Sequence, residues 1–203
     1  MAPEFFIRHA LDGALALLPA SMDSLEARAM VVAICLQESK LQYRKQVAGP
    51  ARGYAQFESG GGVLGVLNHP LSSAYSKTIC AALDVSPSQT AVYAAIEQND
   101  ILAAAFARLL LWTLPKPLPS NDSPEEGWRQ YIEAWRPGQP HRETWDGYFR
   151  QAWTLVEEAQ AAKNLTSVVD PIAKAIQEAA TTFVQSYNAL DALVTKTTTT
   201  TTT

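Results

Sequence analysis

The spacing of apolar residues along this chain predicts a protein built almost entirely from helices. Between Met30 and Cys35 the apolar residues recur three and four positions apart, as they do on one face of an α-helix. The stretch from Asp100 to Trp112 is more strongly apolar and is expected to form the central core helix. No stretch alternates apolar and polar residues over more than a few positions. We therefore predict an all-α fold with few or no strands.

Capping residues and prolines set the predicted helix ends. Asp23, with Glu26 three positions later, has the spacing of a capping box, and Ser86 followed by Pro87 gives a second start signal. Three prolines between positions 115 and 119 predict an extended connector. The predicted helices cover residues 3–18, 24–39, 63–67, 72–83, 87–98, 100–112, 124–135 and 142–163.

The C-terminal part of the chain has a different pattern. A stretch of polar and small residues at 164–170 predicts a break before Pro171. Apolar residues then recur with an 11-residue repeat from Ile172 to Val194, which predicts a nearly straight amphipathic helix. We predict a domain at 1–163, a helical appendage at 164–196 and a disordered poly-threonine tail at 197–203. The apolar stripe either packs on its own domain or associates, through 171–194, with another copy or a partner protein.

One glutamate falls on an apolar helix face. Glu38 lies four positions after Ile34 and seven after Val31, near the predicted helix C-terminus. Desolvation and the negative end of the helix dipole are both expected to raise its pKa. A carboxyl that stays protonated near neutral pH is what a general acid for glycosidic cleavage requires. Two alternatives stay open: Glu38 turns outward to solvent, or Lys40 or Arg44 folds back onto its carboxylate.

Composition and charge narrow the classes of function. Of 203 residues, 47% are hydrophobic and 18% charged, which excludes wholesale disorder. The net charge of -4 gives no reason to expect nucleic-acid binding. Positions 39–57 nevertheless carry four cations and no acid: Lys40, Arg44, Lys45 and Arg52. This basic rim suits an anionic polymer such as peptidoglycan, or it is an ordinary solvated loop.

The other residue types give no sign of a metal, cofactor or membrane site. Cys35 and Cys80 are expected to be small buried hydrophobes, and three scattered histidines have no ligand spacing, so neither a metal nor a cofactor is expected. No apolar run reaches membrane-spanning length. Acidic and polar residues interrupt the apolar N-terminal run, which is therefore interpreted as an amphipathic helix rather than a signal peptide.

Two motifs follow one another at fixed spacing. Glu38-Ser39 ends the predicted helix, and Gly53 and Gln56 follow Glu38 by 15 and 18 positions in the loop GPARGYAQF. A third string, AWRPG at 134–138, carries Trp and Arg where the corresponding pattern has Tyr and Asn. Together these motifs resemble the lysozyme-like lytic transglycosylases over roughly residues 24–155. The chain is most similar to short phage and prophage members that carry ESx…GPARGxxQFExGGG…WRPG.

That resemblance implies a lysozyme-like multi-helix domain that cleaves peptidoglycan glycan strands. In the family, one glutamate protonates the leaving oxygen and then takes the proton from the sugar's 6-hydroxyl, which makes Glu38 the catalytic candidate here. Glu58 is either a second carboxylate that activates water, as in a hydrolase, or a residue that orders the loop or binds sugar. The candidate substrate-binding residues are Ser39, Gly53, Tyr54, Gln56, Phe57, Glu58, Tyr131 and Trp135.

The aromatic candidates either stack on sugar faces or belong to the core. The phage likeness implies an endolysin held in the host cytoplasm until lysis, or a virion component that acts at the cell wall, with other virion proteins as partners. The competing hypothesis is a non-catalytic virion or scaffold protein that keeps the lysozyme-like fold. A hydrolase built on Ser39 is less favoured, since that serine lacks a nucleophile-elbow context.

Overall fold

The computed structural model describes residues 1–200, and the side chains up to residue 189. It divides into two compact units, Met1–Ala159 and Gln160–Thr203. The fold is all-α, which confirms the fold class predicted from apolar spacing. In the described residues, extended backbone pairs only in isolated bridges, from Lys45 to Arg52 and from Arg52 to Phe57.

The first unit is a succession of short helices around two longer ones. The N-terminal helical run contains a π-helical segment at Ile7–Leu11, and a second one at Ser59–Val63 precedes α4. A 3-10 turn lies at Ala20–Met22. The α-helices are α1 Pro3–Phe6, α2 Asp12–Ala16, α3 Leu25–Ser39, α4 Leu64–Asn68, α5 Ser73–Ala82, α6 Gln89–Ile96, α7 Asp100–Trp112, α8 Pro124–Trp135 and α9 Arg142–Thr200.

Helix α7 lies at the centre of the first unit, as its apolar composition predicts. Every residue from Leu102 to Leu111 is buried, and the helix contacts α2, α3, α4, α5, α6 and α8. The Asn99 side chain caps its start by accepting a hydrogen bond from the Leu102 amide at 3.0 Å. A helix with apolar residues on nearly all sides buries the most apolar surface when other helices surround it, which explains the central position of α7.

Helix α3 is the second buried helix, with every residue from Ala27 to Leu36 buried. Its N-cap is Ser24, whose hydroxyl accepts from the Ala27 amide at 3.2 Å, so the predicted cap at Asp23 was wrong by one residue. Asp23 instead binds the Arg28 guanidinium through both carboxylate oxygens. The Asp23 carboxylate thus forms an ion pair, and the serine beside it caps the helix.

The start of α6 also differs from the prediction. Ser88, and not Ser86, adopts the extended backbone of a cap and accepts from the Ala91 amide at 3.3 Å. Pro87 therefore precedes the cap and does not occupy the first helical position. The two serines have the same capping chemistry, and only the backbone geometry distinguishes them.

Helix α9 does not end where the sequence predicts a break. It continues from Arg142 through Pro171 to Thr200, so the polar segment 164–170 is helical. An interior proline removes one helical hydrogen bond and crowds the carbonyl four residues before it, and α9 continues through Pro171 despite both. The unit boundary after Ala159 lies four residues before the predicted one. The helix also includes Thr197–Thr200 of the predicted disordered tail, whereas residues 201–203 lie outside the described part of the chain.

The described side chains of the second unit, from position 161 to 189, are all exposed. The last apolar positions of the predicted stripe, Leu190 and Val194, lie beyond the described side chains. Within the described residues, no helix combines the length and apolarity needed to cross a membrane.

Candidate active site

Glu38 lies in the last turn of α3 and is partly buried. Its Oε1 accepts a hydrogen bond from the Tyr131 hydroxyl at 2.6 Å. Burial raises the pKa of Glu38 to about 7; the Tyr131 hydrogen bond lowers it, and the charge of Glu58 raises it. The predicted upward shift of this pKa is therefore confirmed, with desolvation as its main cause.

Neither of the predicted cationic partners neutralises Glu38. Arg44 binds Asp100 at the start of α7 through two hydrogen bonds of 2.6 and 2.8 Å, and Lys40 is exposed. Glu38 therefore has a phenolic hydroxyl and no basic group as its hydrogen-bond partner among the described residues. A carboxyl in this environment can release and recover a proton near neutral pH.

Tyr131 is held in place by aromatic packing. Its ring is stacked on Trp145, with ring centroids 5.1 Å apart and an interplanar angle of 13°. Only 2% of Tyr131 is exposed. Burial and the negative charge of Glu38 both raise the pKa of the Tyr131 phenol, so it remains a hydrogen-bond donor. The sequence marked this tyrosine as a sugar-stacking candidate, and the structure assigns it to orienting Glu38.

The chain turns sharply after Glu38. Lys40 and Leu41 both adopt left-handed backbone conformations, with φ of 54° and 55°. Leu41 is completely buried, whereas Lys40 points to the surface. The cost of two left-handed non-glycine residues is offset by the burial of the Leu41 side chain. This turn directs residues 42–58 into the loop that carries the second motif.

The predicted basic rim is only partly present. Arg44 pairs with Asp100 as described, and Arg52 pairs with Glu97 at 2.8 Å. Those two acids follow the 39–57 segment by some 40 residues, so a local charge count cannot reveal them. Of the four cations, only Lys40 and Lys45 are exposed residues that form no ion pair within the described chain.

Gly53 is needed for the packing of the loop. Its φ is +69°, and a Cβ placed there would lie 2.7 Å from the Ile96 Cγ2 and 3.1 Å from the Ile96 carbonyl oxygen. Its amide donates to the Arg44 carbonyl at 2.8 Å. Glycine adopts a positive φ without the steric cost that a side chain would add, which accounts for this residue at the position.

Gln56 closes the loop on itself. Its Nε2 donates to the Gly53 carbonyl at 2.7 Å and to the Tyr43 carbonyl at 3.2 Å. Both hydrogen bonds go to loop carbonyls, and within the described residues the Gln56 amide forms none with Glu38. Its Oε1 forms no hydrogen bond within the described residues, so contact between this atom and a substrate stays a prediction.

Ser39, Tyr54 and Phe57 are buried, and each is covered by the protein itself. The Ser39 Oγ lies 2.7 Å from the Tyr54 carbonyl oxygen and 3.0 Å from the Cys35 carbonyl oxygen, so its single hydroxyl hydrogen is shared between the loop and the end of α3. The Tyr54 ring meets Phe6 edge-on, and Phe57 meets Phe106 in the same way. These three side chains pack within the protein and expose almost no surface to a ligand.

The two remaining candidates are at least partly exposed to solvent. Glu58 is exposed, and its charge acts on Glu38. Trp135 is half-buried; its Nε1 donates to the Ala55 carbonyl at 2.8 Å, and its ring lies 5.9 Å from Phe57. Two of the candidates thus act on Glu38 directly, the Tyr131 hydroxyl by a hydrogen bond and Glu58 by its charge, whereas the Trp135 indole is fixed on the loop.

Within the described residues, no group of three or more His, Cys, Asp or Glu side chains is arranged to hold a metal ion. No family model, curated protein or solved structure matches this chain.

Proposed function

We propose that this protein cleaves the glycan strands of peptidoglycan, with Glu38 as a single general acid and base. The observation that supports the proposal most strongly is the partly buried Glu38 carboxyl in the last turn of α3, which accepts a hydrogen bond from Tyr131 at 2.6 Å and whose pKa is raised by burial to about 7. The likeness of the Glu38-Ser39 and Gly53-to-Gln56 motifs to lytic transglycosylases gives the substrate class.

In this mechanism, protonated Glu38 donates its proton to the glycosidic oxygen as the bond to the anomeric carbon breaks. The substrate's own N-acetyl group stabilises the resulting sugar cation. The Glu38 carboxylate then takes the proton from the sugar's 6-hydroxyl, whose oxygen bonds to the anomeric carbon and closes an anhydro ring. The Tyr131 hydrogen bond favours the ionised carboxylate and thereby stabilises it between the two steps.

A hydrolase is the second chemistry that the site supports. Glu58 is an exposed carboxylate close enough for its charge to act on Glu38. In that variant Glu58 removes a proton from water, and the water oxygen replaces the leaving oxygen at the anomeric carbon. The product then has a reducing end instead of an anhydro ring.

The setting that we propose is a phage or a prophage, because the string from Glu38 to Gly62 is most similar to short proteins of that origin. The enzyme would act as an endolysin or as a virion component at the cell wall. Lys40 and Lys45 are the exposed cations available to attract the carboxylates of the peptide arms.

Digestion of purified peptidoglycan tests the proposal. Glu38→Gln is expected to fold and to lose about 10²- to 10⁴-fold in glycan release, because an amide cannot donate or recover the proton. Glu157→Gln, an exposed position on α9, is the matched control and should retain full activity. Equal activity of both variants would remove Glu38 from the mechanism, and no release by the wild-type protein would favour the non-catalytic scaffold.

Mass spectrometry of the released fragments separates the two chemistries. Transglycosylase products carry anhydro ends and are one water lighter than hydrolysed products. Reducing ends, together with loss of activity in Glu58→Gln, would establish the hydrolase mechanism instead.

A further inference from the structure

Arg108 is a buried cation without an acidic partner. It lies in α7, only 3% of the residue is exposed, and it forms no ion pair within the described part of the chain. Its Nε donates to the Met22 carbonyl at 2.7 Å, whereas its Nη1 is buried without any hydrogen-bond partner. Burial lowers the pKa of Arg108 to about 10. An unsatisfied buried guanidinium nitrogen is costly, so it requires an explanation.

The carboxylate whose charge acts on Arg108 is already hydrogen-bonded to another arginine. Asp23 favours the charged form of Arg108 through its field, but both of its carboxylate oxygens accept hydrogen bonds from Arg28. Trp112 supplies a ring whose centroid lies 5.1 Å from the guanidinium carbon of Arg108. The ring holds the guanidinium plane in place without neutralising its charge.

Arg108 lines a cavity of ≈ 700 Å³ in the first unit. This volume lies within the range of pockets that hold small organic ligands. Apolar side chains make up much of the wall: Leu71, Leu111, Trp112, Leu114 and Leu118. The first turn of α3 adds Ser24 and Glu26, and two further hydroxyls come from Ser21 and Ser120.

The charges around the cavity select the class of ligand. Lys116 also lines it, but its Nζ is paired with Glu133 at 2.6 Å. Glu26 contributes a negative charge that opposes a dianion such as a phosphate group. The positive end of the α3 dipole and the guanidinium of Arg108 together favour one negative charge. A carboxylate matches the flat fork of a guanidinium and places its apolar body against the leucines.

We propose that this cavity binds a small organic monocarboxylate with an apolar body, with its carboxylate on Arg108. The site is separate from Glu38: Glu26 and Glu38 are twelve residues apart on α3, which corresponds to about 18 Å along the helix. Occupation of the cavity would give the Arg108 guanidinium an anionic partner and would fix the connector after α7 against the start of α3.

Titration of the isotope-labelled full-length protein with 3-phenylpropionate, followed by amide and indole NMR signals, tests the proposal. The expected result is saturable shifts at Trp112, Ser24 and Ser120. Two further probes isolate the chemistry: 3-phenylpropanol has the same body without the charge, and acetate has the charge without the body. Both should bind at least about tenfold more weakly, as expected for the loss of a charge-assisted hydrogen bond or of the apolar contact.

Two substitutions locate the binding site. Arg108→Met should weaken 3-phenylpropionate binding about tenfold or more. If that variant fails to fold, Ser21→Glu answers the same question, since this exposed position lines the cavity and an added negative charge should repel the ligand. Ser21→Gln is its uncharged control and should bind normally. Equal binding of the alcohol and the carboxylate, unchanged binding in Ser21→Glu, or no saturable binding would each overturn the proposal.

Discussion

At the scale of single residues, the protonation of Glu38 links folding to pH. Its pKa is raised from 4.5 to about 7 in the folded protein, so the folded state binds a proton that the unfolded state has released between these values. The stabilisation from protonated Glu38 is therefore fully present below pH 4.5 and is lost as the pH rises through 7.

This linkage predicts a difference between the wild type and Glu38→Gln. From pH 4.5 to 8 the wild type should lose about 3 kcal/mol of unfolding free energy relative to the variant, which has no proton to release. Urea unfolding at several pH values measures this difference. Glu157→Gln should follow the wild-type curve. Parallel curves for wild type and Glu38→Gln would show that Glu38 does not titrate in this range.

Tyr131→Phe is predicted to raise the pKa of Glu38 further, because the lost hydrogen bond favours the ionised carboxylate. The ring and its stacking on Trp145 are kept. Carbon NMR of the Glu38 carboxyl measures the pKa directly, and any alkaline limb of glycan release should move to higher pH with it. Tyr75→Phe on α5 is the control. A lower or unchanged Glu38 pKa in Tyr131→Phe would contradict the assigned role of the tyrosine.

The burial of Glu38 could be predicted from sequence because Val31 and Ile34 lie on the same helical face. Its partner could not, since Tyr131 is 93 positions away and belongs to a helix whose own spacing only places it near the core. The same holds for Arg44, which is 56 positions from Asp100. Such pairs form only where distant parts of the chain pack together. The local pattern of apolar and polar residues does not indicate which parts will meet.

At the scale of elements, the loop from residue 42 to 58 is held by its own hydrogen bonds and by α6. Gly53 is the position where this packing leaves no room for a side chain. Several residues that the motif spacing marks as substrate-contact candidates also hold the loop together. Ser39 and Gln56 are the clearest cases, because their side chains bond to backbone carbonyls.

Gly53→Ala is predicted to destabilise the protein by about 1–3 kcal/mol, through the strain of a positive φ and contact with Ile96. Thermal unfolding measures the loss. Gly65→Ala is the matched control, since a Cβ at this position in α4 meets nothing within 4 Å and a helical alanine should be neutral or slightly stabilising. Equal melting temperatures for Gly53→Ala and the wild type would mean that the loop does not pack on α6 in this way.

At the scale of the whole chain, the second unit is an exposed helix with apolar side chains. Ile172 and Ile176 are 55% and 65% exposed, and Phe183 and Tyr187 are 72% and 62% exposed. These positions follow the 11-residue repeat seen in the sequence, so the described part of the predicted stripe lies on a helix. A stripe of this length is costly to leave in water and is typical of an association surface.

We therefore predict that full-length protein self-associates through the 171–194 segment and that removal of residues 170–203 gives a monomer. The truncated protein should keep its melting temperature, because the compact unit Met1–Ala159 remains intact. Size-exclusion chromatography with light scattering measures the mass. Ile176→Lys in the full chain should also dissociate the assembly, whereas the neighbouring Gln177→Lys, off the stripe, should not. Two monomers, with the truncated one melting several degrees lower, would instead make the helix part of the folded core.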